Sequence, residues 1–400
     1  MEQDEMWFSA LPGYAVCAAC VADVVLAEFI AENTTVSECC FCGQSGKSEI
    51  AADTDMVLAR ISESLKTEWS RAIDELGYDS ESRSGFMGKT YDTWEVFEDV
   101  GDVFANDKFE AFVLDAFSET LWCARDPYGT SDGDALRYGW RQLAETVKHH
   151  QRFVFLLPSE TTEEDEPGAK VPHGIEMLEE LARLIREYGL VGEVAAGTSL
   201  FRCRLHAVRK RYSAAQDLGA PPAERASQSR MSPAGIPMFY AADESETTLA
   251  ETINDRTRTK GATIAEFRPT TACRIVDLSD LPAPPSVFDD DPETPRRRHE
   301  LGFLNGFLRD VSGQVERDGR EHIDYVPTQV VCEYLRHVFR DEKGEPVHGL
   351  AWESTRRPGA RNIVLFIDND RCVEVGKQPA WPSAPGLVVE LISSETQRLV

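Results

Sequence analysis

The chain has 400 residues, of which 42% are hydrophobic and 28% are charged. A single domain rarely exceeds about 300 residues, so this length predicts more than one domain of an ordinary globular protein. The formal net charge of −27 would repel a phosphate backbone, which argues against nucleic acid as a primary partner. No apolar run approaches the roughly 20 residues that span a bilayer, and residues 1–10 lack the basic start of a signal peptide. We therefore expect a cytoplasmic protein without membrane contact.

The first segment, residues 1–48, carries two C-x2-C pairs that are 18 residues apart: Cys17, Cys20, Cys39 and Cys42. Two such pairs present four thiolates to a tetrahedral zinc ion. Gly43 directly after the second pair suits a tight backbone turn. Because four thiolates leave no open coordination position, we predict a structural zinc site. Cys40 is an adjacent spare thiol, and its use in place of a neighbour remains an alternative.

Residues 49–158 have the apolar periodicity of helices. Three apolar stripes begin at Val57, Phe109 and Leu136, and the first continues through Trp69. We predict a helical bundle, HEPN-like in organisation. The Arg141 and His149 pair is spaced too widely for the Arg–His motif of HEPN ribonucleases, so no catalytic site is predicted in this half.

Residues 159–196 begin with an acidic linker and continue into one amphipathic helix. From residue 197 to 375, short β-type runs alternate irregularly with helices, which predicts an α+β fold. The predicted strands are Leu200–Leu205, Pro237–Tyr240, Ala262–Phe267, Arg274–Leu278, Gly349–Trp352 and Asn362–Phe366, and the predicted helices are Glu244–Arg256, His299–Arg317 and Thr328–Arg340. Residues 376–400 are expected to form a C-terminal tail.

Polar residues in this second half stand where a core would normally be apolar: Arg202, Arg230, Tyr240, Glu251 and Ser354. Any one of them alone is explained by a half-exposed or salt-bridged side chain. Together they suit an anionic ribosylated ligand, because Arg forks bind pyrophosphate, an aromatic ring stacks on a base, and a carboxylate stabilises positive charge at a sugar carbon.

The stretch from residue 198 to 368 resembles the RES-domain family, which is named for Arg, Glu and Ser. The motifs that carry the resemblance are Phe201-Arg202-Cys203, Arg230-x-Ser232-Pro233-x-Gly235, Phe239-Tyr240-Ala241-Ala242 with Glu251 downstream, Asp324 to Gln329, Gly349 to Ser354, and Asn362 to Phe366. The paired cysteines and helices of the first half are similar to the HEPN/RES N-terminal domain. Two features depart from the family pattern: Glu353 stands where many members have Pro, and this chain carries its own large N-terminal half where the usual partner is a small antitoxin.

The resemblance implies an ADP-ribosyltransferase-like fold that consumes NAD. Glu251 would stabilise the ribose cation, while Arg202 and Arg230 would hold the pyrophosphate. Tyr240 would stack near the nicotinamide end, and Ser354 would hydrogen-bond on that side. Two further residues, Tyr325 and Gln329, either line the NAD pocket or pack in the core.

The leading expectation is a toxin-like enzyme, a glycohydrolase or phosphorylase that cleaves the nicotinamide–ribose bond in antiphage defence. One alternative is an ADP-ribosyltransferase acting on a macromolecular target, and another is a non-enzymatic, zinc-stabilised scaffold that binds a nucleotide. The helical half would act as a sensor, regulator or assembly module. An antitoxin or sensor partner and a homodimer are the protein partners that this expectation leaves open.

Overall fold

The computed structural model describes residues 7–78, 85–154, 169–253, 260–313, 319–379 and 386–399. The chain forms two compact units. The N-terminal unit comprises residues 1–135, 162–170 and 283–302, and the C-terminal unit comprises residues 136–161, 171–282 and 303–400. Within the described ranges, no helix is both long and apolar enough to cross a membrane.

The first part of the chain is mainly helical, with short strands between the helices. Its elements are β1 (Ala15–Cys17), α1 (Val24–Glu32), β2 (Ala51–Asp53), α2 (Thr54–Leu65), β3 (Trp69–Arg71), α3 (Ala72–Glu75), α4 (Thr93–Val100), α5 (Asp107–Ala116), β4 (Trp122–Ala124) and α6 (Asp132–Glu145). Antiparallel pairing joins β1 to β2 and β3 to β4. The predicted helical region therefore also contains strands.

The first two of the three predicted apolar stripes, which begin at Val57 and Phe109, contribute to one core, and the stripe that begins at Leu136 is not part of it. Leu58, Ile61 and Phe109 are fully buried within this core. The expectation that the first stripe is one long helix is wrong, because α2 ends at Leu65 and Trp69 belongs to β3. Thr67 closes the helix: its amide and hydroxyl both donate to the Ser64 carbonyl, at 3.2 and 2.7 Å. The chain then turns into the β3–β4 ladder.

The later part of the chain combines a large sheet with helices. Its elements are α7 (Ile175–Glu187), β5 (Val191–Val194), β6 (Leu200–His206), α8 (Ala215–Leu218), β7 (Phe239–Ala242), α9 (Ser245–Thr252), β8 (Gly261–Pro269), β9 (Cys273–Asp277), α10 (Thr294–Ser312), α11 (Glu321–Asp324), α12 (Val326–His337), β10 (Gly349–Glu353), β11 (Arg361–Leu365), β12 (Cys372–Glu374) and β13 (Val389–Arg398). The sheet has nine strands in the order β12-β13-β8-β6-β7-β11-β10-β9-β5. Both parallel and antiparallel pairs occur in it, so the predicted mixture of helices and strands is confirmed.

The predicted strands recur with small shifts at their ends. The predicted linker residues 159–168 and the helix ends 254–256 and 314–317 lie outside the described residues. The expectation of a tail over residues 376–400 misses β13, which pairs antiparallel with β8 from Val389↔Pro269 to Arg398↔Gly261. The second half of β13 is almost wholly polar, so it carries no apolar signal, and only its partner strand defines it.

The register of the central strands decides which side chains share a face. Asn362 of β11 lies opposite Trp352 of β10 and opposite Ala242 of β7. Directly opposite residues project to the same face, and successive residues alternate. Phe239 and Ile363 pack into an apolar cluster on one face. Tyr240 and Asn362 therefore belong to the other face, where a polar site can form.

Candidate functional site

Glu251 lies in the last turn of α9 and is half-buried. Its Oε1 accepts a hydrogen bond of 2.6 Å from the Ser354 hydroxyl and one of 2.9 Å from the Asn362 side-chain amide. Among the described residues, none donates to the second carboxylate oxygen, Oε2. The carboxylate is therefore fixed through one oxygen, and the other has no donor within the described part of the chain.

Ser354 follows directly after β10 and is 1% exposed. Its Oγ accepts the backbone amides of Arg356 and Arg357, each at 3.2 Å, while its proton goes to Glu251. A hydroxyl has one donor and two acceptor positions, so this geometry uses all of them. The Ser354 hydroxyl therefore binds the carboxylate and has no hydrogen-bonding position left for a ligand.

Tyr240, on β7, points its hydroxyl into a tight loop formed by residues 229–232. The hydroxyl lies within hydrogen-bonding distance of the Ser229 hydroxyl, at 3.1 Å from the Ser232 hydroxyl, and accepts the Met231 amide at 3.2 Å. Burial raises the pKa of Tyr240 above its ordinary value, against the opposing effect of the serine hydrogen bonds. The phenol therefore stays protonated at neutral pH and anchors the loop that carries Arg230.

Arg230 donates from Nη1 to the Val311 carbonyl at 2.9 Å, and its guanidinium lies 5.6 Å from the centre of the Tyr325 ring. Burial lowers the pKa of Arg230 from its ordinary value, and the negative charge of Glu251 acts in the opposite direction. Glu251 is thus within electrostatic reach of this guanidinium. We call Arg230, Glu251 and Ser354 the polar constellation: Ser354 is hydrogen-bonded to Glu251, whereas Arg230 interacts with it only through charge.

The two residues with alternative predicted roles both stand close to the 229–232 loop. Gln329 is 8% exposed, and its amide nitrogen donates to the Ser229 carbonyl at 2.8 Å and to the Ser232 carbonyl at 3.3 Å. Tyr325 lies against Arg230 and opens α12. In this structure the Gln329 amide holds the loop, and Tyr325 supplies the ring beneath the guanidinium.

Arg202 occupies a different position from the other four predicted residues. It alternates with Phe201 along β6, and its partner across the ladder is Ala265 of the apolar cluster. Its Nη1 donates to the Tyr240 carbonyl at 2.7 Å, close to the one position where β6 and β7 pair, Phe201↔Ala242. Burial lowers the pKa of Arg202 from its ordinary value. Arg202 thus bridges the two strands where they separate and contacts the backbone of Tyr240.

The sequence analysis assigned no role to Asn362, Ser229 or Ser232, although Ser232 and Asn362 lie in the motifs that carry the family resemblance. Asn362 had a detectable signal: it is a polar residue directly before three apolar strand residues. Its bond to Glu251 depends on the β7–β11 register and on the placement of α9, which no local pattern specifies. The two serines lie in a loop whose sequence predicts only a turn.

The four predicted metal ligands form a second cluster, in the N-terminal unit. Their sulfur atoms all lie within 4.8 Å of one another: Cys17, Cys20, Cys39 and Cys42. Neighbouring Sγ atoms are separated by 3.5–3.8 Å, close to the edge of about 3.8 Å for a tetrahedral zinc with Zn–S bonds near 2.3 Å. The Cys17 amide points at the Cys39 sulfur. The cluster can hold a metal ion, and Cys40 lies outside it.

Local turns set up this cluster. Gly43 adopts a φ of +72°, and its amide donates to the Cys39 carbonyl at 3.0 Å. A side chain at this position would strain the turn. Burial, with hydrogen bonds from Cys42 and Cys39, raises the pKa of the Cys17 thiol to about 11 in the absence of metal. A bound cation would offset this cost of placing charged sulfurs together.

Two families match the chain in separate regions. Residues 32–161 match HEPN/RES N-terminal domain 1, and residues 199–385 match the RES domain. The second match contains every member of the polar constellation. The first begins after the Cys17–Cys20 pair and includes Cys39 and Cys42. No curated protein and no solved structure matches the chain.

Proposed function

We propose that this chain, which belongs to the RES-domain proteins with a HEPN/RES-type N-terminal domain, is a toxin-like enzyme that cleaves the nicotinamide–ribose bond of NAD. The observation that carries the proposal is the Glu251 carboxylate. One of its oxygens is held by Ser354 and Asn362, and the other is unbonded within the described part of the chain. A fixed carboxylate of this kind suits the positive charge that develops at a sugar carbon.

In the proposed reaction, the bond between ribose C1′ and the pyridinium nitrogen breaks, and both electrons leave with neutral nicotinamide. Water then adds through oxygen to C1′ and releases a proton, which gives ADP-ribose. Inorganic phosphate in place of water gives ADP-ribose 1-phosphate. Because the leaving group is cationic in NAD, its departure needs no strong general acid.

The residues divide this work between them. Oε2 of Glu251 accepts hydrogen bonds from the ribose hydroxyls and stabilises the cation. Arg230, within electrostatic reach of Glu251, binds the pyrophosphate and orients the bond that breaks. Ser354 acts through Glu251, which differs from the contact with the nicotinamide side that the family resemblance implies. Arg202 fixes the backbone of Tyr240. It thereby fixes the point beside the site where β6 and β7 separate.

Zinc is the metal that we propose for the cysteine cluster. Four thiolates at tetrahedral spacing are a typical structural zinc set and leave no coordination position for chemistry. The ion would join β1 to the 39–42 turn and so stabilise the N-terminal unit. We assign this unit to sensing, regulation or assembly, in keeping with an effector of antiphage defence.

The test uses the purified full-length chain with NAD, in buffers with and without inorganic phosphate. Nicotinamide, ADP-ribose and ADP-ribose 1-phosphate are separated by chromatography. Release of nicotinamide with ADP-ribose supports a glycohydrolase, and release that requires phosphate supports a phosphorylase. Nicotinamide release that depends on an added protein acceptor supports the transferase alternative. No release under any of these conditions contradicts the proposal.

A further inference from the structure

Asn362 is a buried polar residue in the middle of the large sheet. It lies on β11 between β7 and β10 and is 9% exposed. A buried amide that lacks a hydrogen-bonding partner destabilises the folded state. Its burial, directly before the apolar residues 363–365 of β11, therefore calls for a specific hydrogen-bonding partner.

That partner is the carboxylate of Glu251. The Asn362 Nδ2 donates to Oε1 at 2.9 Å, and the Ser354 hydroxyl donates to the same oxygen at 2.6 Å. The two donors come from different segments, β11 and the turn after β10. Ser354 is itself held by the amides of Arg356 and Arg357, so its hydroxyl has a fixed direction.

The location of Glu251 explains why two donors are needed. Glu251 lies in the last turn of α9, which ends at Thr252. The carboxyl end of a helix carries partial negative charge, so a carboxylate there is destabilised. Hydrogen bonds to the charged form offset this effect and fix its rotamer. Without them the carboxylate would turn toward water or toward Arg230.

We propose that Asn362 is a positioning residue for NAD cleavage: together with Ser354 it holds Oε1 of Glu251, so that Oε2 faces the ribose. This inference rests on the proposed function. It predicts an effect on the chemical step, because the geometry of the carboxylate matters most when charge develops at C1′. Binding of NAD should change little, since the side-chain amide of Asn362 donates to Glu251 and has no proposed contact with the dinucleotide.

The first experiment compares Asn362→Ala with wild type in steady-state nicotinamide release. Loss of carboxylate positioning should lower kcat by about 10²-fold while KM changes by less than about threefold. Asn369→Ala is the matched control, because the Asn369 side-chain amide also donates two hydrogen bonds, but to the carbonyls of Gln216 and Ala220. Thermal melting of both variants reports whether they remain folded.

A second variant, Asn362→Asp, keeps the shape and replaces the donor by a carboxyl group. At neutral pH the two carboxylates repel each other, and each raises the pKa of the other. When Asp takes up a proton it can again donate to Oε1, so activity relative to wild type should rise as the pH falls. Among the described residues, burial raises the pKa of Cys203 and of Tyr240, so lowering the pH below neutral does not change the charge of these two groups. A merely structural role for Asn362 would not produce this recovery.

The outcomes separate this inference from the function on which it rests. A folded Asn362→Ala enzyme with kcat and KM equal to those of wild type would overturn the positioning role alone. If Asn362→Ala does not fold, an Asn362→Asp enzyme with the pH profile of wild type would overturn it. A wild-type protein that releases no nicotinamide would overturn both. A selective loss of kcat together with recovery of the Asp variant at low pH would support the inference.

Discussion

Replacing Ser354 by alanine tests the hydrogen-bond network around Glu251 through stability. The change removes a 2.6 Å bond to a carboxylate and an acceptor for two backbone amides. Ser354 is 1% exposed. Alanine introduces no steric conflict at this buried position because it is smaller than serine. Asn362 would remain as the other donor to Oε1.

The expected cost follows from these contacts. A hydrogen bond to a charged group contributes about 1.5–3 kcal/mol. The two amides belong to Arg356 and Arg357, which are exposed, so water can replace Oγ for them at little cost. The free energy of unfolding should therefore fall by about 2–3 kcal/mol. NAD turnover should fall by at least about tenfold, because the carboxylate gains freedom.

Urea denaturation of the full-length chain, followed by tryptophan fluorescence and circular dichroism, measures the stability change. Ser245→Ala is the control, since the Ser245 hydroxyl also donates to a glutamate, Glu246, at 2.9 Å, but in an exposed pair. That variant should lose less than about 0.5 kcal/mol. Equal stability losses for the two variants, or a Ser354→Ala enzyme with wild-type turnover, would refute the reasoning.

Three other substitutions test the remaining parts of the structure. Cys17→Ser should reduce bound zinc from about one equivalent to near zero in metal analysis, whereas Cys40→Ser should retain it; unchanged zinc in the first variant would remove the proposed site. Tyr240→Phe should lower the free energy of unfolding by about 1–2 kcal/mol, because it leaves the Met231 amide and two serine hydroxyls without the phenol; an unchanged urea midpoint would contradict that role. Arg230→Gln should raise KM for NAD, and increasingly so at low ionic strength, because it removes the proposed pyrophosphate contact; a variant with unchanged KM would show that Arg230 does not bind the dinucleotide.

The sequence predicted β8, β10 and β11 well because most of their residues are buried and apolar, and it also predicted β6, which is mostly half-buried and contains two arginines. β6, β8, β10 and β11 were placed within a few residues of their bounds. Strands at the sheet margins were missed. β5 is short and contains Gly192, and most of β13 is polar. Such strands are defined by the ladder they join, which a local pattern does not contain.

Helix α2 shows the opposite kind of failure. Trp69 continues the helical spacing of Ile61 and Leu65, yet it belongs to β3. Its partner strand, β4, lies far along the chain and supplies hydrogen bonds that periodicity cannot reveal. The tertiary pairing therefore outweighs the local preference for a helix.

In the candidate site, too, the sequence reveals the types of the residues but not how the fold places them. Glu251, Ser354 and Arg230 are recognisable from the sequence because they are polar residues in an apolar region. Their placement depends on the packing of the end of α9 against the start of β11. This packing also brings Asn362 within hydrogen-bonding distance of Glu251. Arg202 shows the limit of such reasoning, because alternation along β6 places it next to the apolar cluster.

The most direct test of the central claim is the rate of nicotinamide release from NAD by wild type and by Glu251→Gln. Glutamine keeps the shape of the side chain and removes the negative charge, so the rate should fall by on the order of 10²–10³-fold. Glu395→Gln, which changes an exposed carboxylate on β13, should retain the wild-type rate. Nicotinamide release by Glu251→Gln at the wild-type rate would contradict the account.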